Sequence, residues 1–302
     1  MKKILITGAN SFIGTSFSKY LEEFPGEYEV TTMSLMDGTW REKSFSGFDT
    51  VYHVAGIAHS DDGKFDEAKK ELYKKVNADL AIDTAKKAKA DGVKQFIFMS
   101  SAIIYGDSAP IGKRKMITKD TPVAPANYYG MSKLMAEEGL LPLNDKNFKV
   151  VILRPPMVYG KGCKGNYPVL ANIAQKLRFF PNVKNERSML YVGNLARFVK
   201  LMIDNEESGI FFPQNPEYSN TSLMVKQIAA EHERKVTLIK GFSWLLKLAA
   251  LFTPLVNKAF GSLAYDKSLS EYKQPYAEIS LAESLKLTEM RKPAPKVKPE
   301  NV

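Results

Sequence analysis

The chain has 302 residues, 44% of them hydrophobic, with one cysteine, three histidines and a net charge of +10 at pH 7. That length can bury a large core and divide into two lobes, while the lone Cys163 excludes an internal disulfide and the scattered histidines offer no metal-binding spacing. No apolar run is long enough for a membrane span, so no integral membrane segment is expected. The run after Lys2-Lys3 is short and broken at Thr7-Gly8, unlike a secretory signal, which makes a cytoplasmic location the expectation. The lysines concentrate in runs such as Lys69–Lys75 and Lys86–Lys89, interleaved with Glu67, Glu71 and Asp83. These read as solvated helix faces and give no reason to expect a nucleic-acid partner.

In chain order, Lys2–Thr7 reads as a strand, 12–23 as a helix and Tyr28–Met33 as a second strand. A third apolar run over 49–55 precedes a long helical pattern over 66–90. A fourth strand over 93–99, a helix over 129–140 and a strand at Lys149–Leu153 follow. Apolar strands alternating with helices of this length predict an α/β fold, a Rossmann-type doubly wound parallel sheet. After Arg154-Pro155-Pro156 the rhythm loosens. A strand over 188–192 and a helix over 194–203 are expected to rejoin the sheet. A strand at 210–212, a helix over 222–232 and a strand over 235–239 come later. The predicted division is a dinucleotide-binding domain over 1–159, with 187–205 returning to it, and a smaller, interleaved C-terminal substrate lobe over 160–186 and 206–290. The Pro/Lys-rich tail 291–302 is expected to be disordered. The apolar stretch 242–260 is expected to form a buried or lid helix of the second lobe, with an interfacial membrane contact as the alternative.

Two motifs carry the chemistry. The first strand runs into Gly8-Ala-Asn-Ser-Phe-Ile-Gly14, the layout that seats a dinucleotide pyrophosphate. Gly8 permits the tight turn, Gly14 lets the helix pack closely on the strand, and Ser11 is small, with a hydroxyl placed to bond a phosphate oxygen. An acidic residue that would hold an adenosine ribose belongs near Ser34. Ser34 is neutral, Asp37 lies beyond it, and Arg41 leaves room for a 2′-phosphate, so NAD and NADP both remain open as cofactor. The second motif is Tyr129-Gly-Met-Ser-Lys133, a phenol and an ammonium on one helix face. A free tyrosine titrates near ~10, and the expectation is that Lys133 favours its phenolate. Tyr128, five residues from Lys133, turns off that face. Ser100 and Ser101 end the fourth strand, at the carboxyl edge where such sheets bind ligands.

Taken together, Thr7–Gly14, His53-Val54-Ala55-Gly56, Ser100-Ser101-Ala102 with Tyr105-Gly106, Tyr129–Lys133, Arg154-Pro155, Val158-Tyr159-Gly160 and Arg187 before Tyr191–Leu195 resemble the extended short-chain dehydrogenase/reductase family, in its nucleotide-sugar epimerase/dehydratase branch. The resemblance implies Tyr129 as catalytic acid/base, Lys133 as the nicotinamide-ribose ligand that lowers the tyrosine pKa, and Ser101 as the hydroxyl orienting the sugar. It implies Gly8, Ser11, Phe12, Ile13 and Gly14 as the pyrophosphate loop. Ala55, Gly56, Asn77, Ser100 and Pro155 would stand beside the cofactor. The substrate, a nucleotide-diphosphate sugar expected to be UDP-linked, would meet Arg187 at its diphosphate and Asn166 and Phe180 at its phosphate and uracil. The family also implies a homodimer built on the helices over 66–90 and 129–140.

Three departures bear on the reaction. Ala102 and Ile103 stand where the branch's dehydratases carry Asp-Glu, which argues against dehydration. Pro156 stands where epimerases commonly have asparagine, and a second diphosphate arginine has no match, Asn257-Lys258 being nearest. The third departure is the missing acid near Ser34. The expected activity is a UDP-hexose or UDP-N-acetylhexosamine 4-epimerase acting through a 4-keto sugar, with an NADPH-dependent 4-ketosugar reductase as the alternative. A non-catalytic sensor or RNA binder on this fold is disfavoured by the intact Ser101, Tyr129 and Lys133.

Overall fold

The apolar runs pair into one parallel sheet, seen here in a computed structural model that describes residues 1–8, 10–58 and 66–290. In chain order the first half comprises β1 (Lys2–Thr7), α1 (Phe12–Leu21), β2 (Tyr28–Met33), β3 (Thr50–His53), α2 (Glu67–Tyr73), a π turn (Lys74–Asp79), α3 (Leu80–Ala90) and β4 (Gln95–Met99). Then come β5 (Met116–Ile117), α4 (Tyr128–Leu140), β6 (Lys149–Leu153), β7 (Met157–Tyr159), α5 (Asn166–Lys176), β8 (Phe179–Pro181), β9 (Met189–Tyr191) and α6 (Val192–Asp204). The chain continues through β10 (Gly209–Phe211), α7 (Thr221–Glu231), β11 (Thr237–Ile239), α8 (Ser243–Ala249), α9 (Pro254–Phe260), β12 (Ala264–Tyr265) and α10 (Leu281–Glu289). The tail 291–302 lies outside the described residues.

The central sheet has six parallel strands in the order β10-β6-β4-β3-β1-β2. The direction in which successive strands are added reverses between β1 and β3, and the carboxyl ends flanking such a switch point form the ligand crevice of open α/β sheets. Every residue of β3 and β4 is buried, which explains their mainly apolar character, with the polar Thr50 and Gln95 bonded to each other and His53 to Thr7. One face packs under α1 and α6 through Phe17, Leu21, Leu195, Phe198, Val199 and Met202. The other packs under the π turn, α3 and α4 through Ala78, Ala81, Ala85, Ala88, Ala136 and Leu140. Alanine on both helices lets them approach closely. A third cluster, including Tyr159, Cys163, Tyr167, Phe180, Ile228, Phe260 and Leu285, is the core of the smaller lobe.

Two expectations of topology are corrected. The strand foreseen over 188–192 forms as β9 but pairs with β7 and not with the central sheet. The strand that does complete the sheet is β10, next to β6, although residues from 206 onward were assigned to the second lobe. Both short runs are apolar, and the choice of partner depends on where α6 leads the chain, which local sequence does not encode. The helix over 66–90 forms, with a π turn at its centre. The stretch 242–260 makes two short helices, and most of its large apolar side chains face outward, contrary to a buried helix.

Candidate active site

At the switch point the backbone comes very close to itself. Gly8 has φ of +87°, and a Cβ there would stand 2.8 Å from the Ala55 nitrogen. A Cβ at Gly14 would meet Ser11 Oγ at 2.8 Å and Val54 Cγ2 at 3.1 Å. The turn after β1 and the loop after β3 are thus pressed together, with the N-terminus of α1 opening beside them, where an anion is favoured. Ser11 is the N-cap: its Oγ accepts from the Gly14 N–H at 3.0 Å. That hydroxyl keeps its own proton to donate, so the cap and the expected phosphate bond are compatible. Phe12 reaches the small lobe's core and Ile13 the sheet's.

At the end of β2, Ser34 is exposed and its Oγ accepts from Met36 N at 3.4 Å. Asp37 is tied into its own turn by Thr39, whose hydroxyl and N–H hold its carboxyl below the usual range. Arg41 lies over Trp40 and 3.6 Å from Asp83. No carboxylate is presented from the end of this strand among the described residues.

The candidate reacting groups Tyr129 and Lys133 come from α4. Asn127 caps it, accepting from Gly130 N at 2.8 Å, which fixes the phase of the helix one residue before Tyr128. Tyr129 is half-buried, with Ser101 close enough to act on its phenol, and its ring lies 6.3 Å from that of Tyr73. Burial pushes its pKa up to about 12, with Ser101 pulling down and Tyr73 pushing up. The expected lowering by Lys133 is absent from these influences. The reason is geometric: Lys133 Nζ sits 6.0 Å from the Tyr129 ring and donates to the Met99 carbonyl at 2.7 Å. Burial holds the lysine down at about 8, partly opposed by Glu137.

Asn77 lies wholly buried in the π turn. It holds both backbone groups of Ile57, accepting from the N–H at 2.8 Å and donating to the carbonyl at 2.9 Å. It also donates to Ser132 Oγ at 3.0 Å, and Ser132 in turn donates to the Tyr129 carbonyl at 2.9 Å. A Cβ on Gly56 would fall 2.8 Å from Asn77 Oδ1 and 3.6 Å from Lys133 Nζ. Gly56, Asn77 and Lys133 therefore meet beside Tyr129. π turns recur at such places because the added residue re-aims a side chain.

A buried network that the sequence reading did not find supports this floor. Ser100 donates to Glu137, which is wholly buried and accepts from Arg154 Nη2 at 2.5 Å and Nε at 3.1 Å. Arg154 Nη1 donates to Tyr105 OH at 2.7 Å, and Tyr265 OH donates to the Arg154 carbonyl at 2.8 Å. The Pro155 carbonyl accepts from Ala102 N at 2.9 Å, tying the ends of β4 and β6 together. The available signal was spacing, since Glu137 continues the four-residue interval from Tyr129 through Lys133. Below the crevice, His53 is buried with Nδ1 3.0 Å from Thr7 Oγ1, and burial lowers its pKa to about 3.

On the small-lobe side the expected residues are more dispersed. Arg187 is half-buried, and its Nη1 donates to the carbonyls of Lys258 at 2.7 Å and Gly261 at 3.2 Å. Among the described residues it has no carboxylate partner, and burial lowers its pKa. Asn166 is exposed at the start of α5. The Phe180 ring packs against Phe260 in the lobe's core, 5.6 Å between centroids, so it is not an open surface for a base to stack on. A separate hollow of about 440 Å³ at the opposite edge of the sheet, lined by Lys2, Asp49, Lys94 and Glu206, bears none of this chemistry. No cluster of metal ligands occurs among the described residues.

The donor set fits a nicotinamide dinucleotide. The glycine cradle would be filled by any Cβ, and buried Lys133 spends one donor on a carbonyl while no carboxylate comes within ion-pair distance among the described residues. A phenol with a serine and a lysine beside it is the set of groups that hydroxyl/ketone redox chemistry on a dinucleotide fold can use.

Comparison with known proteins places this site in a family. Residues 4–212 match the model of the NAD dependent epimerase/dehydratase family, and the chain belongs to that family. It is 31% identical over 292 residues to a UDP-glucose 4-epimerase of Vibrio cholerae, covering 88% of each chain. It is 29% identical over 250 residues to an N-acetyl-alpha-D-glucosaminyl-diphospho-ditrans,octacis-undecaprenol 4-epimerase of Escherichia coli O157:H7, covering 77% of this chain and 72% of that one. The solved UDP-glucuronic acid 4-epimerase of Bacillus cereus, in complex with NAD, superposes with a TM-score of 0.69 over 95% of this chain and 97% of its own, at 18% identity. The chain is an NAD(P)-dependent sugar-nucleotide enzyme on a Rossmann-type α/β fold.

Proposed function

We propose that the enzyme is a UDP-hexose or UDP-N-acetylhexosamine 4-epimerase acting through a 4-keto sugar. The observation that carries this reading is Tyr129 beside Ser101 and Lys133, whose Nζ stands 6.0 Å from its ring, at a crevice where Ala102 and Ile103 offer no carboxylate for elimination. Bound in the crevice, a nicotinamide dinucleotide supplies a hydride acceptor that can return the hydride. Gly8, Ser11, Phe12, Ile13 and Gly14 would hold its pyrophosphate, Ser34 its adenosine ribose, and Asn77 and Lys133 its nicotinamide side. Ala55, Gly56, Ser100 and Pro155 would line that side. Ser101 orients the sugar's C4 oxygen. With the positive nicotinamide ring bound beside it, Tyr129 would be favoured as the phenolate and would accept the C4 hydroxyl proton in one direction; the phenol would give it back in the other. Arg187 holds the diphosphate, so binding energy remote from C4 retains the ketone. Asn166 contributes at the phosphate, and Phe180 shapes the lobe behind the base.

The same reading divides the chain into a dinucleotide domain over 1–159 with 187–205, and a substrate lobe over 160–186 and 206–290, with β10 (Gly209–Phe211) returned to the dinucleotide sheet. It assembles the enzyme as a cytoplasmic homodimer through α2, α3 and α4. The test is NMR of UDP-glucose and UDP-N-acetylglucosamine with purified protein and no added cofactor. Conversion to a mixture of C4 epimers is expected; a requirement for stoichiometric NADPH and a ketosugar would overturn it in favour of a 4-ketosugar reductase. That second reading draws on the Tyr129 pKa near 12, which suits a proton donor, and on the neutral Ser34.

A further inference from the structure

The helices α8 and α9 carry the most apolar stretch of the chain, yet they sink only part of it. Leu246 and Val256 turn into the small lobe's core and Phe260 is buried against Phe180. The remainder points away. Trp244 is 68% exposed, Leu251 78% and Phe252 84%, with Phe242, Leu245 and Leu248 also exposed. Trp244, Leu245 and Leu248 follow the spacing of one face of α8, and Leu251 and Phe252 extend it in the hydrogen-bonded turn before α9, so the exposed apolar residues are consecutive along the chain and not scattered.

The strip is set in basic surroundings. From Glu233 to Asp266 the sequence contains Arg234, Lys235, Lys240, Lys247 and Lys258 and no intervening acid. Lys240, Lys247 and Lys258 are exposed and have no carboxylate partner among the described residues. The Lys247 side chain leans toward the loop at Gly112, which carries Lys113; Arg114 beyond it is paired with Glu186 at 2.6 Å. No helix among the described residues is long and apolar enough to cross a membrane. An apolar helical face ringed by lysines, short of spanning length, is the pattern of a segment lying in a bilayer interface.

We infer that the α8–α9 face seats the small lobe on an anionic bilayer, with Trp244, Leu251 and Phe252 entering the headgroup–acyl boundary and the lysines meeting lipid phosphates. A second copy of the chain fits poorly, because a two-fold contact sets the same patch against itself and opposes like charges. The inference is independent of which reaction the site performs. The seat adjoins the site directly, since Arg187 is anchored on the carbonyls of Lys258 and Gly261 at the end of α9.

The full chain is tested by flotation with phosphatidylcholine vesicles and with equimolar phosphatidylcholine–phosphatidylglycerol vesicles. Only the anionic vesicles are expected to carry the protein, with a blue shift of Trp244 emission; the other tryptophan, Trp40, is buried and silent. The double variant Leu251→Glu/Phe252→Glu should weaken binding by about tenfold or more, with melting temperature and nucleotide binding unchanged, because both side chains are exposed. Absence of binding to anionic vesicles, or binding that survives the double variant, overturns the inference. So does a wild-type oligomer that the double variant dissociates without any vesicle binding, which would make the occupant a second copy.

Discussion

At the scale of single residues, the site is a set of groups pushed away from their solution behaviour by burial. Tyr129→Phe keeps the ring and its packing but removes the proton that moves; turnover should fall by about 10²–10⁴-fold while nucleotide binding is retained. Loss of binding in parallel would mean that the phenol is structural. Lys133 gives a test in stability. Unfolded, it holds its proton up to its ordinary pKa of 10.5, whereas folded it releases it at about 8. Between those values the unfolded chain binds more protons, so stability should rise with pH across that window, by about 3 kcal/mol from this group. Denaturation curves of Lys133→Met should lack that rise. The Tyr129/Lys133 pair and the Gly8–Gly14 turn were legible because their chemistry follows local spacing. The Glu137–Arg154 pair was not, because its partners lie on different elements and meet only after folding.

At the scale of elements, the crevice is held by devices that periodicity does not reveal. The strands β1, β2 and β6 follow from their apolar runs with the bounds the sequence indicates, but an apolar period cannot register one extra residue in a helical turn. The π turn was therefore invisible, although it swings Asn77 under Gly56. Asn77→Ala removes the clamp on both backbone groups of Ile57. The expected cost is about 1–3 kcal/mol of stability, with weaker nucleotide binding, measurable by thermal melting and titration. Unchanged binding would show that the loop after β3 holds its shape without it. The stretch 242–260 departs from a fully buried helix for a related reason: apolar composition predicts burial only where a partner surface exists, and here the lobe covers one side alone.

At the scale of the molecule, the outer faces of the helices flanking the site carry exposed Leu72, Met131, Met135 and Leu141. The Met131 and Met135 side chains stand one turn apart, opposite the buried Lys133 and Ala136. The proposed homodimer predicts a dimeric mass by light scattering and a monomeric one for Met135→Glu; a monomeric wild type would contradict it. The two lobes are joined beside the chemistry, because the Tyr265 hydroxyl of β12 reaches the Arg154 carbonyl at the end of β6. Separating them would bare a paired charge, which is costly. The lone thiol then becomes a clock. Cys163 is buried among Tyr159 and Tyr167 in the small lobe, and burial also raises its pKa. A thiol reagent can reach it only during opening, so a single labelling rate reports how often the lobe comes loose. Saturating UDP-sugar should slow that rate, and a rate indifferent to UDP-sugar would place the opening elsewhere in the molecule.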